Sequence, residues 1–286
     1  MEKTHHDDIR QTVREAYTQV AKAFKTNALA GRTASCCGSP SDPTEASGGS
    51  SCGCGGADLS LEQLSAAIGY TQSEMDSVPE GSNMGLGCGN PVAIASLQPG
   101  QTVVDLGSGG GFDCFLAARQ VGETGRVIGV DMTPEMVSKA RKNAEKMGAA
   151  NVEFRLGEIE NLPVGDNSAD IIMSNCVVNL SPDKLRAYRE AYRVLKPGGR
   201  LAISDILATA PLPEEIKKDL ALVSACVGGA ETIAATRQIL GNAGFEEITI
   251  KPNHVVRELL QQWDPAVSNN AEDYVVSATI EAVKQI

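Results

Sequence analysis

Histidine is almost missing from this 286-residue sequence: His5, His6 and His254 are the only three. All lie far along the chain from the glycine-rich and strand-like segments described below. The commonest general base therefore has no obvious place in a catalytic centre. Positive charge is short as well, with 25 lysines and arginines against 36 acidic residues and a formal net charge of −11. Nucleic acid and anionic lipid both demand a positive field, so the chain is expected to bind neither; small or neutral substrates suit it better. No apolar run approaches the roughly 18 to 20 residues that a bilayer-crossing helix needs. Residues 1–10 are too polar for a secretory signal. The expected compartment is the cytoplasm, where thiols stay reduced.

What is present is an ordinary folded composition, 42% hydrophobic and 21% charged, enough for one large α/β domain with extensions or for two modest domains. Eight cysteines in a reducing compartment point to metal, metalloid or redox chemistry rather than to structural disulfides. Residues 8–24 carry Ile9, Val13, Ala16, Val20 and Ala23 at helical spacing, which predicts an amphipathic helix. Residues 31–57 are rich in glycine, serine and proline and hold Cys36, Cys37, Cys52 and Cys54, the composition of a flexible arm. A second helical stretch, 60–69, precedes a glycine-rich turn at 81–91 that carries Cys88.

From residue 101 short apolar runs alternate with amphipathic segments. Strands are predicted at 102–106, 126–131, 152–156, 170–174, 200–204, 247–251 and 274–281, with helices at 112–121, 134–147 and 182–195. Ser181 and Pro182 read as N-cap and first helical residue of the last helix, and Lys196-Pro197-Gly198-Gly199 as its stop. Such alternation means an α/β fold with a doubly wound, mostly parallel, seven-stranded sheet. The expected division is 1–80 for the helical and cysteine-rich extension, 81–206 for the nucleotide-type core, and 207–286 for a short lid and the final strands.

Asp105-Leu106-Gly107-Ser108-Gly109-Gly110-Gly111 lies where the first strand turns into the first helix. Glycines there let the backbone approach a ligand, and the helix N-terminus adds a favourable field. The dinucleotide fingerprint asks for glycine at the third position after Gly109, but Phe112 stands there. The remaining Asp-x-Gly-x-Gly-x-Gly, in Asp105, Gly107, Gly109 and Gly111, resembles the first motif of the Rossmann-like class I methyltransferases. That resemblance implies S-adenosylmethionine as cofactor. Asp131, ending the second strand, is placed to accept from both ribose hydroxyls; Met132 would pack on the adenine, and Glu158 and Ile159 would meet its edge.

Residues ending the fourth strand should face the methyl group, and they read Ser174-Asn175-Cys176-Val177-Val178-Asn179-Leu180. The Asn/Asp-Pro-Pro-aromatic sequence of base-methylating enzymes is absent, and a thiol stands in its place. Together with Pro182-Asp183-Lys184, with Gly87-Cys88-Gly89, and with Cys226-Val227-Gly228-Gly229-Ala230, this segment is similar to the arsenite methyltransferases over about residues 81–250. The resemblance implies Cys88, Cys176 and Cys226 as arsenic(III) ligands and Asn175 as a cofactor neighbour. It implies arsenite and methylarsenite as substrates, with a thiol reductant of glutathione or thioredoxin type as co-substrate. Soft arsenic(III) suits thiolates, and three of them leave its lone pair free for the methyl carbon. Cys88, in a loop of glycines, is expected to have little core around it, whereas Cys114 on an apolar helix start reads as core. The four arm cysteines suit arsenite capture or a redox relay. Leu86 departs from the family pattern, where an aromatic residue is frequent.

Overall fold

The alternation predicted from residue 102 onward folds as parallel strands covered by helices. The computed structural model describes residues 2–26, 60–253 and 274–286. Cys36, Cys37, Cys52, Cys54, His254 and Trp263 lie outside the described residues. Helix α1 (Glu2–Thr26) is followed by the short helices α2 (Leu61–Ala67), α3 (Gln72–Asp76) and α4 (Pro91–Ala95). Both α2 and α3 begin in capping boxes, Ser60 with Gln63 and Thr71 with Glu74, in which side chain and backbone satisfy each other's donors. The alternating core runs β1 (Thr102–Leu106), α5 (Phe112–Val121), β2 (Arg126–Asp131), α6 (Pro134–Met147), β3 (Val152–Leu156) and β4 (Ala169–Asn175). It continues through α7 (Lys184–Val194), β5 (Leu195–Ala208), α8 (Glu214–Lys218), α9 (Leu220–Ser224), α10 (Ile233–Ala243), β6 (Glu246–Asn253) and β7 (Val275–Val283).

The seven strands form one sheet in the order β3-β2-β1-β4-β5-β7-β6, with β7 antiparallel to both neighbours and the other pairs parallel. Strand alternation sorts the core onto two faces. Val104 and Leu106 join Ile172, Ile203 and Ala191 on one, while Val103 joins Phe115, Ile171 and Met173 on the other. Each of these side chains larger than alanine contributes roughly 1.5–3 kcal/mol of burial free energy. The order reverses between β1 and β4, so a crevice opens beyond their carboxyl ends.

Three local expectations are corrected. Helix α7 starts at Lys184, capped by Asp183, whose carboxylate accepts the Arg186 N–H at 3.0 Å. Ser181 instead closes a 3-10 turn over Val178–Leu180, and its hydroxyl donates to Glu160 Oε1 at 2.7 Å. A buried carboxylate competes successfully for the hydroxyl that the sequence assigns to the helix end. Strand β5 is longer than predicted: Leu195 already pairs with Ala169, and Lys196-Pro197-Gly198-Gly199 loops out before Arg200 pairs with Ile171. After β5 the chain forms α8, α9 and α10; Gly228-Gly229 marks a helix end close after α9, but the pattern predicts neither α8 nor α10, the last capped by Thr232 and burying Thr236, Leu240 and Ala243.

Candidate active site

β1 ends at Leu106, and the chain turns into α5 through Gly107–Gly111. Gly107 has φ +71°, and its N–H and that of Ser108 both reach the Val130 carbonyl, at 2.7 and 3.0 Å. A side chain at Gly107 would run into Val177, so the loop backbone is left bare toward the crevice. Gly111 has a different reason. Its φ is +93° and an added Cβ would meet Phe115 and Phe154 at 2.8 Å, so it serves the packing of α5 and lies outside the crevice wall.

The crevice encloses about 1090 Å³, part of it open to solvent. Gly107, Ser108 and Gly109 form one side, with Asp131, Met132, Ile159, Asn175 and Cys176 around it. Asp131 is held by backbone donors, Gly109 N–H on Oδ2 at 2.9 Å and Thr133 N–H on Oδ1 at 2.8 Å. Burial raises its pKa, and those N–H bonds work against the rise. The Ser108 hydroxyl beside it is buried with no protein partner. A strand-end acid, a bare glycine loop and apolar walls from Met132 and Ile159 fit a nucleoside-bearing sulfonium donor.

Glu158 does not line the crevice; its carboxylate pairs with Arg14 at 3.2 Å and Arg10 at 3.7 Å, both from α1. Asp105 does line it, but there it accepts the Cys114 thiol at 3.1 Å, and burial with Asp113 nearby holds it well above the usual carboxylate range. Cys114 is fully buried, as its place on an apolar helix start implies.

Asn175 ties the crevice to the thiols. Its Oδ1 accepts the Cys88 N–H at 3.0 Å, and its Nδ2 donates to Gly89 O and the Tyr70 hydroxyl, both at 2.9 Å, and to Asp113 at 3.1 Å. Tyr70 in turn donates to Asp113 at 2.5 Å. Cys88 is further fixed by Ser277 of β7, whose hydroxyl donates to its carbonyl at 2.8 Å. Contrary to the expectation for a glycine loop, Cys88 is only 2% exposed, because its loop packs against β5 and β7.

Cys88, Cys176 and Cys226 fall in one buried cluster with Leu180, Ile206 and Leu222. Cys176 and Cys226 both sit in the left-handed region, at φ +59° and +63°, which is uncommon for a residue with a side chain. Such strain persists only where surrounding structure enforces it, and it concentrates at functional sites. The Cys226 thiol donates to the Cys176 carbonyl at 2.8 Å. Hydrogen bonding to Cys176 and burial hold Cys226 well above the usual thiol value, and burial raises Cys88. The unliganded thiols are therefore protonated at neutral pH. Among the described residues, the set whose ligand atoms all lie within 4.8 Å of one another is Cys88, Cys176 and Asp205; Cys226 is not in it.

Helix α1 roofs both regions. Arg10, Val13 and Tyr17 line the crevice, Arg10 reaches Glu160 at 3.2 Å, and Tyr17 donates to Ser224 O at 3.4 Å and joins the buried cluster that holds Cys226. Tyr17, Tyr70, Asp113 and Asp205 are the residues that sequence reasoning missed. Asp205 alone left a signal, an acid inside the apolar strand run Ala202-Ile203-Ser204-Asp205-Ile206-Leu207.

The family model for a methyltransferase domain matches residues 97–247. An arsenite methyltransferase of Halobacterium salinarum is 47% identical over 97% of this chain and 67% of its own length. The chain belongs to the arsenite methyltransferase family. Another relative, the human arsenite methyltransferase, is 45% identical over 50% of this chain and 40% of its own, so the chain spans less than half of the length of that protein. The crystal structure of an arsenic(III) S-adenosylmethionine methyltransferase from Chlamydomonas reinhardtii superposes with a TM-score of 0.59 and 32% identity, covering 78% of this chain and 73% of that one. Among the described residues of this arsenite methyltransferase family member, no helix is long and apolar enough to cross a membrane.

Proposed function

We propose that the chain transfers methyl groups from S-adenosylmethionine to arsenic(III) bound through Cys88, Cys176 and Cys226. The observation that carries this reading is that Cys176 belongs both to the crevice wall and to the thiol cluster. A methyl acceptor held there borders the donor without a further binding site. When bound, S-adenosylmethionine supplies a methyl carbon on a sulfonium whose leaving group is S-adenosylhomocysteine.

The protein's part is binding, orientation and exclusion of water. Each cysteine gives its thiol proton to a hydroxide leaving arsenite, so three As–S bonds form and three waters depart. No acidic proton then remains on the acceptor, which accounts for a site with no histidine among its described residues. Three sulfur ligands complete a trigonal pyramid and leave the arsenic lone pair available. Cys226 has to leave the Cys176 carbonyl to join the other two. Asp131 and the glycine loop hold the donor's ribose, Met132 and Ile159 its base, and Asn175 keeps the Cys88 loop against the crevice. The roof formed by α1 excludes water, so that alignment rather than acid–base chemistry dominates.

Returning arsenic to the trivalent state after each transfer takes two electrons, which we assign to a glutathione- or thioredoxin-type thiol reductant in the cytoplasm. We assign capture of arsenite or relay of those electrons to Cys36, Cys37, Cys52 and Cys54. Chromatographic arsenic speciation after incubation with donor, arsenite and reductant tests the central reading. Cys176→Ser and Cys226→Ser are each expected to lose nearly all methylated arsenic. Wild-type yields from either variant would overturn it.

A further inference from the structure

The thiol pocket contains one group that three-sulfur chemistry does not use. Asp205, on β5, is 1% exposed, and its carboxylate shares with the Cys88 and Cys176 sulfurs a set closed within 4.8 Å. Donors fix its orientation: Asn179 Nδ2 and the Ile206 N–H on Oδ1, at 3.0 and 2.8 Å, and the Val178 N–H on Oδ2 at 3.0 Å. Hydrogen-bonded carboxylates of this kind are typical of metal ligands, whose outer partners orient them.

Trivalent arsenic and a divalent d¹⁰ cation make different demands. Arsenic takes three soft donors and keeps a lone pair, whereas zinc takes four donors tetrahedrally and accepts carboxylate oxygen readily. Zinc–sulfur and zinc–oxygen bonds of about 2.3 and 2.1 Å put tetrahedral ligand atoms about 3.5–3.8 Å apart, so a set within 4.8 Å needs to close by at most about 1.3 Å. Cys226, turned onto the Cys176 carbonyl, is not needed.

We propose that Cys88, Cys176 and Asp205 form a binding site for a thiophilic divalent cation of the zinc and cadmium class, with water in the fourth position, and that its occupancy excludes arsenite. Binding displaces to solvent two thiol protons and the proton that burial keeps on Asp205 up to about pH 7, and leaves one net negative charge on two thiolates, one carboxylate and the cation. Lys184, whose field reaches Asp205, offsets that charge. The inference goes beyond methyl transfer: it describes a metal-bound, inhibited form of the same pocket.

The test uses the full chain with Cys36, Cys37, Cys52 and Cys54 replaced by serine, so that no other thiol cluster competes. Zinc(II) affinity is measured against a chromophoric chelator under a phosphine reductant, and arsenite affinity separately. Asp205→Asn is expected to weaken zinc by at least roughly the 10-fold to 100-fold that loss of an outer-shell partner costs, with arsenite little changed. Cys226→Ser is expected to do the reverse, and Cys88→Ser to lose both. Absence of micromolar zinc binding, an unaltered zinc affinity in Asp205→Asn, or equal loss of zinc and arsenite in Cys226→Ser would each overturn the proposal. Should Asp205→Asn fail to fold, the cobalt(II) charge-transfer band of the parent chain decides: two thiolates support the site and three reject it. None of these readouts requires turnover, so they stand apart from the fate of the methyl-transfer reading.

Discussion

At the scale of the residue, burial decides the behaviour of several groups whose sequence neighbours give no hint of it. Asp113 follows a phenylalanine at the start of α5, and burial pushes its pKa up to about 6 even though Tyr70 and Asn175 donate to it. An acid raised in the folded state keeps its proton where the unfolded chain, with a pKa near 4, has lost it. Its contribution to stability is therefore full below about pH 4 and declines until about pH 6. Relative to Asp113→Asn, the wild-type chain is expected to lose stability across that window and to change no further above it. Urea midpoints of both chains at several pH values check this; a constant difference would mean that Asp113 ionises normally. The contexts of Cys88, Cys176 and Cys226 were legible through a family resemblance, not from each cysteine's neighbours alone. That Cys176 and Cys226 adopt left-handed backbone was not, since φ depends on what each residue is forced to pack against.

At the scale of the element, strand and helix cores followed the apolar period as far as β5, beyond which α8 and α10 went unread; the departures before that point gathered at ends where one polar side chain has two possible partners. Ser181 has the composition of an N-cap, yet it turns to buried Glu160, and Asp183 takes over the helix. Asp183→Ala is accordingly expected to cost about 1 kcal/mol of stability, as for other caps, measured by denaturant unfolding. An unchanged midpoint would return the cap to Ser181. Helix α1 shows the same limit more strongly. Its amphipathic period was evident from residues 8–24, but its apolar stripe says only that it covers something. Arg10 and Arg14 meeting Glu158 and Glu160, and Tyr17 meeting Cys226, are contacts across more than a hundred residues. They turn a helix read only as amphipathic into a roof over the crevice and the thiol cluster.

At the scale of the whole molecule, the sheet order brings the carboxyl ends of β1, β2 and β4 together with β5, so that the glycine loop, Asp131 and the thiols converge. A ligand that binds this folded arrangement and not the unfolded chain must stabilise it. S-Adenosylmethionine at about 100 times its dissociation constant is expected to add about 2.7 kcal/mol, seen as a rise in melting temperature. Asp131→Ala should remove most of that rise at the same concentration, and an undiminished shift would place the ribose elsewhere. By itself the sequence determined the period of each element, the glycine turn with its strand-end acid, the acidic surface charge, and the three cysteine contexts. These are local matters, set by side-chain spacing and by backbone freedom within a few residues. Only the tertiary structure decided that Cys88 is buried, that Glu158 serves α1 rather than the crevice, that Gly111 serves packing, and that Asp205 stands beside two sulfurs. Each of those depends on strands and helices that are neighbours in space and strangers in sequence, where burial and competition for hydrogen-bond partners are settled only after the chain has closed on itself.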